Sequence, residues 1–124
     1  MVDLIDRQRL HYALRKMGKK HLRSQYKDRW KPERPPTGYC YVLAEVVYHY
    51  FAPEGSRPYV MRTGDDDTHW FLKDPDGRVI DLTDDQFEEQ LDYSQGKPQN
   101  FMTKEISKRG TILADFLGLK KAAR

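Results

Sequence analysis

Pro35-Pro36-Thr37-Gly38-Tyr39-Cys40-Tyr41-Val42-Leu43-Ala44 passes from a turn-forming run directly into an apolar segment that continues to Phe51. Cys40, Leu43, Ala44, Val47 and Phe51 recur at helical spacing, which predicts a helix over 40–51 with one buried face. Thr37 or Gly38 is placed to cap it. Pro53, Gly55 and Pro58 then stop it. The only cysteine of the chain therefore stands at a predicted helix N-terminus. A thiol is mostly protonated at neutral pH, and a helix N-terminus with a neighbouring imidazole favours its thiolate. His69 and then Asp81 follow in strand-like segments, the residue types needed to activate a thiol and to orient the imidazole. A cysteine-dependent acyl-transfer or hydrolytic site is the leading expectation.

Downstream of that helix the pattern turns to short strands. Tyr59–Thr63 and Thr68–Lys73 are strand candidates around a polar turn that contains Asp65, Asp66 and Asp67. Asp74-Pro75-Asp76-Gly77 is a strong turn signal, with Pro at the second position and Gly at the fourth. Arg78–Leu82 forms the third strand. With residues 74–77 as the turn, residue 70 is expected opposite residue 81, which brings Asp81 within reach of His69. An aspartate in the apolar run Val79-Ile80-Asp81-Leu82 is costly unless it is paired. The bland alternatives are a buried structural cysteine, an edge-strand histidine and a helix-capping aspartate. His11 and His21 read as surface residues of the first helix. His49 lies nine residues beyond Cys40, about 13 Å along the helix axis, too far for a direct bond.

The flanks are helical. Residues 3–24 read as a basic amphipathic helix with Asp3 as N-cap and Asp6 in the first turn. Leu10, Ala13, Leu14 and Met17 form its stripe, extended by Ile5 and Leu22. Gly18 weakens the middle and marks an early end or a kink. Gln25–Gly38 holds three prolines and reads as a loop packed over Trp30. Thr83-Asp84-Asp85-Gln86 looks like a capping box for a short helix to Leu91. Asp92–Asn100 reads as loop. Thr103 is the expected cap of a last helix to Leu117, with Ile106, Leu113, Phe116 and Leu117 inward. Lys120, Lys121 and Arg124 form a frayed tail. Helices, a β-meander and helices again give an α+β chain. One domain over 1–124 is expected, with a basic helix at 1–24 and a core at 35–118.

The 124 residues suffice for a core without covalent staples. An apolar fraction of 38% and a charged fraction of 33% suit a soluble globular protein. No apolar run is long enough to span a bilayer, so no membrane partner is expected. No secretory leader is read at the start, and one cysteine allows no internal disulfide; a cytoplasmic location is expected. No cofactor is called for. Cys40, His69 and Asp81 are numerous enough for a catalytic zinc, but nothing in the pattern favours metal over a triad. Residues 1–34 carry eleven Lys/Arg against four Asp/Glu, net +7, which leaves −4 for the rest of a +3 chain. Arg15, Lys16, Lys19, Lys20 and Arg23 thus offer a surface for an anionic partner, or only a solvated helix face. Nucleic acid is a weaker reading, since it rests on that helix alone and no binding-fold signature accompanies it.

Two stretches carry a family likeness. Gly38-Tyr39-Cys40-Tyr41-Val42-Leu43-Ala44 resembles the nucleophile helix of transglutaminase-like, papain-fold proteins. His69-Trp70-Phe71 with Val79-Ile80-Asp81-Leu82-Thr83 resembles their His-aromatic and Asp-x-Thr strands. Taken with Pro36-Thr37 before and Gln86-Phe87 after, the set is most similar to the YunG-like family. Tyr39 stands where the broader pattern often has glutamine. The resemblance implies a compact papain-like fold with the nucleophile helix packed on a small antiparallel sheet. It implies Cys40 as nucleophile, His69 as base and Asp81 as the orienting carboxylate. The expected activity is that of a hydrolase or acyltransferase acting on an amide, isopeptide or thioester of a protein or small amine-bearing substrate. By their proximity in sequence, Trp30, Tyr39, Tyr41 and Trp70 are expected to wall its pocket. The competing reading is a non-catalytic interaction or inhibitor module that keeps the fold and binds an anionic partner through the basic helix.

Overall fold

The computed structural model describes residues 6–63, 67–83 and 90–119. Several sequence expectations lie outside these residues: the Asp3 cap and Ile5, Asp65 and Asp66, the capping-box partners Asp84–Gln86 with most of their helix, and Lys120, Lys121 and Arg124.

Helix α1 spans Arg7–Met17. Asp6 is its N-cap, its side chain accepting from the Gln8 amide at 3.0 Å. Leu10, Ala13, Leu14 and Met17 are the buried stripe. Gly18, at φ 60°, turns the chain out, and its amide bonds the Leu14 carbonyl. The helix therefore stops well short of residue 24, because a left-handed residue ends α-helical hydrogen bonding there. Arg15 and Lys16 sit in the last turn, where the helix dipole favours cations. Within the expected loop, Ser24–Lys27 forms a single helical turn, α2. Trp30 is partly buried against the core and donates from Nε1 to the Pro35 carbonyl at 3.0 Å.

Helix α3, Cys40–Tyr50, is buried over most of its circumference. It packs on β2 and on α4, and α1 packs on α4. The last helix, α4, spans Lys108–Phe116 and is capped by Ser107, whose hydroxyl accepts from the Gly110 amide at 3.1 Å. Thr103, the expected cap, instead donates to the Glu105 carbonyl at 2.6 Å. Phe116, expected to point inward, is 47% exposed, while Leu113 and Leu117 are buried.

Four strands form one antiparallel sheet in the order β3-β2-β1-β4. They are β1 Arg57–Arg62, β2 Thr68–Lys73, β3 Val79–Ile80 and β4 Lys97–Pro98. β4 lies within the stretch expected as loop, and its Pro98 is tolerated because the strand is at an edge. The β2–β3 hairpin pairs Leu72 with Ile80 and Lys73 with Val79. The Asp74 amide donates to the Arg78 carbonyl at 2.9 Å, so the loop has three residues, with Gly77 at φ 85°. Asp74 Oδ1 fixes it by accepting from the Asp76 and Arg78 amides at 2.9 and 2.8 Å. The extra left-handed residue moves the pairing one step from the expected register. The molecule is α+β, with a small antiparallel sheet beneath α3. Among the described residues, no helix is long and apolar enough to cross a membrane.

Candidate active site

Gly38 sets the approach to Cys40. Its φ is 81°, and a Cβ there would stand 2.9 Å from both Leu22 Cδ2 and Tyr26 Cβ. Glycine is required on both counts. Tyr39 follows, fully buried, with its hydroxyl donating to the Gly18 carbonyl. Burial pushes the Tyr39 phenol up to about 12, against a small opposing effect of Arg109. Cys40 then opens α3. It is 9% exposed, and its sulfur lies 3.8 Å from the Thr68 carbonyl oxygen at the head of β2. Among the described residues no side chain caps α3, so no capping group of theirs competes for the amides of its first turn.

His69, on β2, is completely buried, and its Nε2 lies 2.7 Å from Asp81 Oδ2. Continuing the observed register one step past Ile80 sets Asp81 opposite Phe71. Residues directly opposite share a sheet face, and so do His69 and Phe71. Asp81 thus meets His69 as its diagonal neighbour. Under the register expected from sequence, Asp81 would have shared the face of Trp70 and pointed away from His69. The one-residue loop difference is what lets the pair form.

Asp81 is satisfied on both oxygens. Oδ1 accepts from the Thr83 amide and hydroxyl, each at 3.0 Å. Oδ2 also accepts from the Tyr93 hydroxyl at 2.7 Å. Burial raises the Asp81 carboxyl, but His69, Tyr93 and Thr83 together outweigh it and hold it below the ordinary carboxylate range. Burial likewise disfavours the His69 imidazolium. Hydrogen bonds and charges from Asp81 and Cys40 prevail, and the His69 pKa is raised to about 9. Cys40 thus acts on the ring alongside Asp81. With Nε2 engaged by Asp81, the edge that remains for the thiol is Nδ1. The structure brings Cys40, His69 and Asp81 together.

The aromatic residues separate. Tyr41 and Trp70 border the cleft at Cys40, with ring centroids 4.9 Å apart edge to face. Trp30 and Tyr39 do not line it. Tyr41 accepts the Met102 amide on its hydroxyl at 2.8 Å. Two depressions flank Cys40 and share Tyr26, Gly38 and Thr68. In the second, Asp67 is paired with Arg29 at 2.6 Å. Of the basic residues, Arg15 and Lys16 end α1, Arg15 donates to the Pro32 carbonyl at 3.0 Å, and Arg23 precedes α2. They do not form one continuous helical stripe with Lys19 and Lys20, because the helix ends at Gly18. Among the described residues, no cluster of three or more His, Cys, Asp and Glu side chains could hold a metal ion.

Sequence reading missed Tyr93, which lies in a 3-10 turn, Tyr93–Gln95, within the stretch expected as loop. The available signal was Asp92-Tyr93-Ser94: Asp92 accepts from the Ser94 amide at 3.1 Å, an aspartate turn that fixes the tyrosine's position. Phe71 then meets Tyr93 at 4.9 Å between centroids. The buried Glu45 of α3 was missed as well. It accepts from the Ser107 amide at 3.0 Å and from the Ser107 hydroxyl.

No curated protein and no solved structure matches the chain. The family model described as YunG protein matches residues 6–118, which include α1, the Cys40 helix, the whole sheet and α4. The chain belongs to the YunG family.

Proposed function

We propose that this protein is a cysteine-dependent hydrolase or acyltransferase with a papain-like, transglutaminase-like arrangement of its site. The observation that carries the proposal is the buried 2.7 Å contact between His69 Nε2 and Asp81 Oδ2, set beside Cys40 at the start of α3. A histidine and an aspartate buried together gain from each other, and a partly accessible thiol next to them has a proton acceptor at hand.

In this reading the Cys40 thiolate attacks the carbonyl carbon of an amide, isopeptide or thioester. The C–S bond forms while the carbonyl oxygen takes the electron pair. The uncapped amides at the start of α3 face that developing charge. For an amide, the imidazolium of His69 protonates the leaving nitrogen as the C–N bond breaks, and a thioester on Cys40 remains. Water or an amine then attacks the thioester, gives its proton to His69 and releases the thiolate. Asp81 holds Nε2–H and supports the imidazolium throughout.

The test is the rate of Cys40 alkylation by iodoacetamide at pH 7, read by intact mass, in wild type and His69→Ala. The expected rate in the variant is about tenfold lower. Equal rates in two folded proteins would remove the basis of the proposal.

A further inference from the structure

The cleft on the Tyr41 side of Cys40 is lined by Arg23 and Arg109 together with Tyr41 and Trp70. Among the described residues, two arginines and no carboxylate therefore line the space next to the thiol. Arg23 is exposed. Arg109 is half-buried and donates from Nη1 to the His21 carbonyl at 3.2 Å, which fixes the guanidinium without neutralising it. The nearby carboxylate of Glu45 is already bound to Ser107. On the other side of Cys40, the acid that could have drawn a cationic substrate, Asp67, is paired with Arg29.

We infer that this cleft is an anion subsite, and that the acyl donor carries a carboxylate or phosphate group that Arg23 and Arg109 hold beside the Tyr41–Trp70 wall. This rests on the acyl-transfer reading and names its substrate class. Guanidinium groups suit such oxyanions because their N–H groups form a planar fork. The Tyr41 phenol reports the local field. Burial raises its pKa, the bond from the Met102 amide lowers it, the Glu45 carboxylate raises it and Arg23 and Arg109 each lower it, so both arginines act at that wall and offset the buried carboxylate behind it. His21 senses the same charge: burial, Lys20 and Arg109 all lower its pKa.

Two thiol reagents of similar size and different charge make the test. The rate ratio of iodoacetate to iodoacetamide at Cys40 cancels the thiolate fraction and leaves the preference for an anion. Arg23→Gln and Arg109→Gln are each expected to lower that ratio by about fivefold. Lys97→Gln, an equal charge change on the exposed edge strand β4, is expected to leave it unchanged. A ratio that is unaltered in the arginine variants, or that falls equally in Lys97→Gln, overturns the subsite. Arg23 is exposed, so its variant decides the matter even where Arg109→Gln does not fold. Failure of the acyl-transfer reading shows separately, as an iodoacetamide rate that ignores His69→Ala.

Discussion

The Tyr93 hydroxyl donates to Asp81 Oδ2 at 2.7 Å, on the same carboxylate oxygen that meets His69. It thereby adds a donor on the side of Asp81 that Thr83 leaves open, and its ring meets Phe71 edge to face. Hydrogen bonds to a charged acceptor contribute about 1.5–3 kcal/mol, and less where the donor is partly exposed, as here. Tyr93→Phe is expected to cost about 1 kcal/mol in urea unfolding. It is also expected to alter Cys40 alkylation as a function of pH, because Asp81 then has only His69 and Thr83 to favour its charge. An alkylation profile identical to wild type would reduce Tyr93 to a packing residue.

His69 gives a pH dependence with a definite sign. Its pKa of about 9 in the folded protein lies above the ordinary imidazole value of 6.5. The folded state therefore holds the proton more tightly than the unfolded chain. The resulting stabilisation is complete below about pH 6.5 and is lost as pH rises through about 9. The depressed Asp81 carboxyl behaves oppositely: its contribution is present above about pH 3.9 and is lost as pH falls. The urea midpoint of the wild type is expected to fall between pH 6.5 and 9.5. In His69→Gln the same interval is expected to be nearly flat. Parallel curves for the two proteins would contradict the assignment.

What was legible in the sequence follows from which interactions are local. Strand β2 was read over its full length, Thr68–Lys73, because an aromatic-rich run stands between two polar turns. The start of α3 was legible for a similar reason: Pro36 and Gly38 exclude helix before Cys40 and nothing after it does. The hairpin register was not. Choosing between a two-residue and a three-residue loop depends on the conformation of Gly77, and that choice decides which face Asp81 takes. The role of Tyr93 was still less accessible. It depends on β4 closing the sheet and on Gly96 passing against Phe71, where a Cβ would lie 2.5 Å from the ring. No local pattern encodes that approach. Thr103 and Ser107 are equally good capping residues by type, and only the buried Glu45 on a different helix selects the second.

Gly38→Ala tests the approach to Cys40 without touching the three polar residues. A non-glycine residue at φ 81° is strained, and its Cβ would meet Leu22 and Tyr26 at 2.9 Å. Together these are expected to cost about 2–3 kcal/mol. Thermal melts would read this as a lowered midpoint. Relief of the clash requires Leu22 and the single turn α2 to move, which changes the cleft beside Cys40. A variant as stable as wild type would show that α2 is free to shift.

Glu45 ties α3 to α4 and gives the sharpest contrast between two substitutions at one site. It is fully buried, and both carboxylate oxygens are used by Ser107. Burial raises its pKa, and the Ser107 bonds, His49 and Arg109 recover only part of the difference. A raised carboxyl pKa in the folded state means that its charge opposes folding at neutral pH, and that this opposition eases as pH falls. Glu45→Gln keeps a carbonyl acceptor for the Ser107 amide and removes the charge, so a change of about 1 kcal/mol or less is expected. Glu45→Ala leaves the amide and hydroxyl of Ser107 without their acceptor and opens a void beside Gly110. About 3 kcal/mol of destabilisation is expected. Urea unfolding at pH 7 ranks the two, and at pH 5 the wild type is expected to gain on Glu45→Gln. If alanine proved no worse than glutamine, α4 would owe its position to its other contacts, among them buried Leu113 and Leu117 and the Arg109–His21 bond, and not to Glu45.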